Sequence, residues 1–149
     1  MSYLKSAAVA VFIAAAGAGV CAPSFAQVAT PQPASIETLV DLPSGDFVRK
    51  SKKLKGSYDV VQRDGRTFII FSDDFRAANG PDLKIFLSPK SLSETTGRNA
   101  TDGAINIGVL KSTRGVQEYE VPAGVDLASF ESVLVHCEAY SVLWGGSNL

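Results

Sequence analysis

One histidine, one tryptophan, one methionine and two cysteines are all that 149 residues provide of these scarce side chains. The methionine is Met1, the histidine is His136, and the cysteines are Cys21 and Cys137. This scarcity excludes most metal and haem chemistry. A blue-copper centre needs two histidines and a cysteine, and a tetrahedral Cys/His zinc site within one chain fails on the same count. Covalent haem attachment needs Cys-x-x-Cys-His, which is absent. Bis-His ligation has too few histidines, and His/Met ligation has no methionine beyond Met1, which leaves His136 open only as a sole axial ligand. Gly145-Gly146-Ser147 lacks the G-x-S-x-G spacing of a nucleophile elbow. Asp73, Asp74, Asn79 and Asp82 do not follow a calcium-loop spacing and are ordinary turn residues. Neither a metal nor a cofactor is expected, and no catalytic constellation is legible. The chain also lacks an excess of either charge, with 14 basic and 15 acidic residues. That argues against nucleic acid or an anionic membrane surface as partner.

No apolar run is long enough for a comfortable membrane span of about 20 residues. Ala7 to Val20 is the longest, it follows the lone charge Lys5, and Ser24-Phe25-Ala26 closes it with small residues at −3 and −1. That pattern is a secretory signal cut before Gln27. Val20 and Ala18 before Cys21 do not suit lipoprotein processing. Cleavage there removes 26 residues and leaves 123, with 13 basic and 15 acidic side chains and a net charge of −2. The mature protein is expected in the periplasm or outside the cell, without membrane insertion. Residues 27–39 form a polar, Pro-rich leader, and the domain proper is expected over 40–149.

After residue 40, helical periodicity is missing throughout. Asp126 to Ser132 suits one helical turn with Asp126 as its N-cap. The rest is short β signals between turn residues. Strands are expected near 46–50, 56–62, 66–71, 82–88, 104–110, 116–121 and 132–144. Asp64-Gly65 joins the second and third as a hairpin. Pro122 stops the sixth because proline cannot donate to the ladder. About eight short, mostly antiparallel strands make an all-β fold, a sandwich or a partly open barrel. Its expected core is Phe68, Ile70, Ile85, Leu87, Tyr119, Val133 and Val135. Arg49, Lys50, Lys52, Lys53 and Lys55 suit a solvated, charge-protected edge.

The chemically scarce residues gather in Ser132 to Trp144. With period two, Val133, Val135 and Cys137 share one face, and Leu134 and His136 the other. Alternation continued along the stretch puts Ala139, Ser141 and Leu143 with the first face, and Glu138, Tyr140, Val142 and Trp144 with the second. Glu138-Ala139 is poor hairpin chemistry. The stretch is therefore one long bent strand, or two strands joined by a tight irregular link. Strand neighbours point apart, so His136 and Cys137 do not form a catalytic pair.

Cys137 stands alone after cleavage, so no intramolecular disulfide forms. It is a small buried hydrophobe, a cysteine paired with another chain, or a thiol for redox exchange with a partner protein. The rival to a redox role is a binding or structural module working through loops 72–81 and 89–103.

The order of motifs resembles the DM13 domain family. The matching pieces begin with Gly45-Asp46-Phe47-Val48, Gly56, Asp74-Phe75 and Gly80-Pro81-Asp82-Leu83-Lys84-Ile85. They continue with Gly108-Val109-Leu110-Lys111, Gly115-Val116-Gln117-Glu118-Tyr119 and Val121-Pro122. Ser132-Val133, Cys137, Tyr140-Ser141-Val142 and Ser147-Asn148-Leu149 complete the series. The resemblance implies a small secreted or cell-surface module with a role in electron transfer. It also implies that Cys137 is the redox candidate. Where relatives are expected to carry a histidine near the second strand, this chain has Lys52, Lys53 and Lys55.

Overall fold

The short apolar runs separated by turn residues fold into strands wherever the computed structural model describes the chain, which is residues 41–149. The signal segment 1–26, the cut before Gln27, the leader 27–39 and the domain start at Val40 lie outside the described residues. The strands are β1 Ser44–Asp46, β2 Val48–Arg49, β3 Leu54–Lys55, β4 Ser57–Arg63, β5 Arg66–Phe71 and β6 Arg76–Ala77. β7 Leu83–Ser88, β8 Ile105–Val109, β9 Gln117–Glu120, β10 Ser132–Cys137 and β11 Val142–Asn148 follow. One sheet runs β1-β4-β5-β9, a second runs β2-β11-β10-β7-β8, and β3 pairs with β6. Every named pairing is antiparallel.

The two larger sheets close over a shared core. Tyr58, Val60, Ile69, Phe71 and Tyr119 come from the first; Ile85, Leu87, Val133, Val135, Cys137 and Trp144 come from the second. The fold is thus all-β, and of the two architectures expected it is the open sandwich. The strand number exceeds eight because β2, β3 and β6 are two-residue pieces.

Asp64 and Gly65 hold φ of 52° and 71° in the β4–β5 hairpin. That left-handed pair matches the twist of the strands it joins. The register places Tyr58 opposite Phe71, Val60 opposite Ile69, and Asp59 opposite Ile70. The expected core therefore needs correction on β5. Ile69 and Phe71 face the opposing sheet, whereas Ile70 shares the outer face with Asp59 and is only half-buried. Phe68 is shielded from water by the guanidinium groups of Arg63 and Arg66, 4.5 and 5.2 Å from its ring centre. Arginine stacked on an aromatic face covers it as a second sheet would.

Ser132 to Trp144 is two strands and an irregular link. β10 ends at Cys137, a 3₁₀ turn spans Glu138–Tyr140, Ser141 takes φ 51°, and β11 returns. Cys137 pairs with Val142 and His136 with Leu143; a bulge then skips Trp144, and Val135 pairs with Gly145. Simple alternation across the turn is thereby broken. Trp144 joins Val133, Val135 and Cys137 in the central core, while Leu143 packs with Leu134 on the other face. The bulge needs Gly145, since a Cβ there would lie 2.1 Å from the Val48 carbonyl oxygen.

The outer face of the second sheet carries its own apolar cluster of Phe86, Leu134 and Leu143. Loop 89–103 covers it through Leu92 and Ala100. Part of this proposed binding loop is therefore structural: the apolar outer face of β7, β10 and β11 must be shielded from water. No helix among the described residues is long and apolar enough to cross a membrane.

Candidate functional site

Cys137 is the last residue of β10 and pairs with Leu83 of β7 and Val142 of β11. Its side chain lies on the core face and is 0% exposed. That face is the one strand alternation gives it, shared with Val133 and Val135. His136 points to the opposite face, where it pairs with Lys84 and Leu143. The two scarce side chains are thus separated by their own strand, and no Cys–His pair forms.

His136 is buried, edge-on to Phe86 with ring centres 5.9 Å apart. Its Nε2 lies 2.9 Å from the Gly97 carbonyl oxygen. A carbonyl only accepts, so Nε2 donates and Nδ1 is the bare nitrogen. Nδ1 is the one buried side-chain N or O atom without a partner among the described residues. With Nε2 bonded and the ring enclosed, axial ligation by His136, left open by the sequence, is not supported.

The His136–Gly97 bond sits beside a close backbone approach. A Cβ on Gly97 would lie 2.1 Å from the Ser141 carbonyl oxygen, so only glycine fits there. Loop 96–98 is thereby held against the turn that follows Cys137. The other side of that turn is tied to β7. Glu138 N–H donates to the Asp82 carbonyl at 3.1 Å, and Lys84 Nζ pairs with the Glu138 carboxylate and, at 3.3 Å, with Asp82. The hydrogen bond to Glu138 is the main cause holding the Lys84 ammonium above the ordinary lysine range. Replacing His136 by Leu should change global stability by only about 1 kcal/mol. The lost Nε2–H···O bond is offset by removal of the unpaired Nδ1. Amide exchange in residues 96–99 should nevertheless quicken. Urea unfolding and hydrogen exchange check this, and unchanged exchange in the loop would show that His136 does not hold it.

The remaining sequence candidates separate. Asp74 accepts from the Ser72 hydroxyl and lies 3.9 Å from Lys55 Nζ, and Asp82 pairs with Lys84. Among the described residues no group of three or more His, Cys, Asp or Glu side chains is placed to hold a metal. The basic segment after β2 runs beside β11. Lys50 N–H donates to Trp144 O at 2.8 Å and Ser51 N–H to Leu143 O at 3.3 Å. Leu143 is the cross-strand partner of His136, so this segment reaches the neighbourhood of Cys137 through one strand. Ser51, Thr96, Gly97, Arg98, Ser141, Val142 and Leu143 line an open hollow of about 500 Å³ there. Another hollow, of about 520 Å³, lies at the far end of the β10–β11 hairpin, among Leu42, Val60, Val125, Leu127, Phe130 and Leu149. Arg98 and Gly97 carried no signal in the sequence, because both belong to a polar loop whose partners lie some forty residues away.

A family model described as Electron transfer DM13 matches residues 46–149. No curated protein and no solved structure matches. The match runs from β1 through both sheets to the last residue of the chain and takes in Cys137, its turn and the hairpin that carries them. The chain belongs to the electron-transfer DM13 family.

Proposed function

We propose that this protein is an exported, non-catalytic redox domain whose exchanging group is the Cys137 thiol. The observation that carries this reading is the position of Cys137. It closes β10 directly before the exposed Glu138–Tyr140 turn, and Tyr140 is 70% exposed. On this reading, local opening of that turn together with the end of β10 gives a partner access to the thiol. The chemistry is thiol–disulfide exchange with a partner protein that brings its own disulfide. The Cys137 thiol gives up its proton and the thiolate attacks one partner sulfur. The partner S–S bond breaks as the Cys137–partner bond forms, and the departing partner sulfur takes the proton. A second thiol reverses the step, returning Cys137 as a thiol and leaving a disulfide on the partner side.

Native-state labelling tests this. A thiol reagent should modify Cys137 slowly in folded protein. Its rate should depend on urea much less steeply than global unfolding does, because opening is local. A rate that follows global unfolding, or no labelling over hours, refutes the redox reading. Export is tested separately by intact mass. The expected mature terminus is Gln27, and an uncut Met1 terminus in the cell envelope would remove that part.

A second reading rests on the complete burial of Cys137. The thiol is then a small apolar side chain in the core, and the domain is an extracytoplasmic binding or structural module. On this reading Cys137→Ser costs about 1–3 kcal/mol through an unpaired hydroxyl.

A further inference from the structure

We infer that the open hollow beside the Glu138–Tyr140 turn is a docking site for an acidic segment of a partner protein. Arg49 to Lys55 contains five basic residues and no carboxylate. Elsewhere among the described residues, half of the cations are neutralised in place: Arg63 by Glu118, Arg66 by Glu120, Lys84 by Asp82 and Glu138, and Lys90 by Asp102. Within the basic segment only Lys55 has an acidic partner among the described residues, Asp74 at 3.9 Å. The segment's backbone is fixed. Arg49 pairs with Gly145, Lys50 and Ser51 bond to β11, Lys53 O accepts from Ala78 at 2.8 Å, and Leu54 is buried. It therefore presents its charges from a set path.

The hollow gives those charges a concave surface. Ser51 forms one wall, flanked in sequence by Lys50 and Lys52, and Thr96 to Arg98 form the other. Arg98 is the only charged lining residue, and Val142 and Leu143 supply the apolar part. His136 and Gly97 hold the second wall in place. Tyr140, exposed one residue before Ser141, adds an aromatic of the kind enriched in protein interfaces. An extended chain bearing Asp or Glu fits this combination: carboxylates against Arg98 and the lysines, and an apolar residue over Val142 and Leu143. The rest of the domain is net acidic, which opposes a long polyanion such as nucleic acid. This inference rests on the redox reading only in naming the docked protein as the exchange partner; docking itself needs no thiol.

The test uses Cys137→Ser protein, so that binding is read without exchange. The probe is a fluorescent peptide of alternating glutamate and serine, followed by anisotropy. Binding should appear at low salt and weaken by roughly tenfold on reaching about 0.15 M salt. Arg98→Glu, and Lys50→Glu with Lys52→Glu, should each lower affinity by at least about tenfold. Lys90→Glu, at a paired site away from the hollow, should leave affinity within about twofold. No binding, equal losses at Lys90 and Arg98, or equally tight binding of a single-stranded oligonucleotide would overturn the inference. Docking that holds while Cys137 labels only on global unfolding removes the redox reading and leaves this site intact. Labelling without docking does the reverse.

Discussion

Raising the pH from about 10 to about 12 should cost the domain about 5 kcal/mol and bring it to alkaline unfolding. Tyr58 and Tyr119 are the cause. Both are buried in the central core, and burial pushes each phenol up from 10.0 to about 12. Ser147 beside Tyr58 and the Lys111 N–H at Tyr119 oppose that shift only partly, and the bonds the phenols donate favour the neutral form. Tyr58 donates to Asn148 O at 2.7 Å. Tyr119 donates to Gln117 Oε1 at 2.6 Å and accepts from Lys111 N–H at 3.0 Å. In the unfolded chain these phenols ionise near pH 10, while the native ones keep their protons. The native state thus binds more protons between about pH 10 and 12, and stability falls as pH rises through that window. Below pH 10 their contribution is fully present. Two pH units are worth about 2.7 kcal/mol per tyrosine, a large share of a small domain's stability. Tyrosinate absorbance and far-UV circular dichroism should move together in protein with Tyr3 and Tyr140 replaced by Phe. Tyr58→Phe with Tyr119→Phe should remove this tyrosine-linked loss. Full ionisation of Tyr58 and Tyr119 with the fold intact would contradict the assignment.

Trp144→Ala should destabilise the fold by about 3–5 kcal/mol. The β11 bulge inserts this ring into the core beside the face of β10 that carries Val133, Val135 and Cys137. Nε1 donates to Ala78 O at 3.0 Å, and the ring approaches Gly80 so closely that a Cβ there would lie 2.8 Å from Cζ2. Truncation therefore opens a cavity and frees the carbonyl of a loop whose Ala78 N–H also holds Lys53 O. Trp144→Phe keeps most of the apolar contact and should cost less than half as much. Urea unfolding of the two variants decides this. A loss below about 1 kcal/mol in the alanine variant would mean that the ring is not a core element.

Trp144 also shows where reading the chain alone stops. Period-two alternation carried past Glu138 puts Trp144 with His136 and Leu143 with Cys137, and both placements are reversed. The 3₁₀ turn, the left-handed Ser141 and the bulge together break the simple alternation. Neither Glu138-Ala139 nor Gly145-Gly146 announces such geometry, because the bulge is selected by the fit of β11 against β10 and β2. On β5 the sequence offers two apolar faces of nearly equal weight. Asp59 across the ladder and the stacked arginines decide that Ile69 and Phe71 go inward.

What the sequence by itself determined is local or a matter of counting. Asp64-Gly65 specifies its hairpin because the turn needs two residues at positive φ. Asp126 caps its short turn by accepting from Ala128 N–H. Val133, Val135 and Cys137 share a face apart from His136 because a strand alternates. The ordered motifs also marked the family, since they span the same residues that the family model matches. Only the tertiary structure decided the burial of Cys137, the bond from His136 to Gly97 and the closeness of Gly97 to Ser141. It alone laid the basic segment along β11 at the rim of the hollow. Each of these joins residues distant in sequence, and such contacts are chosen by which apolar faces the docked sheets exclude from water.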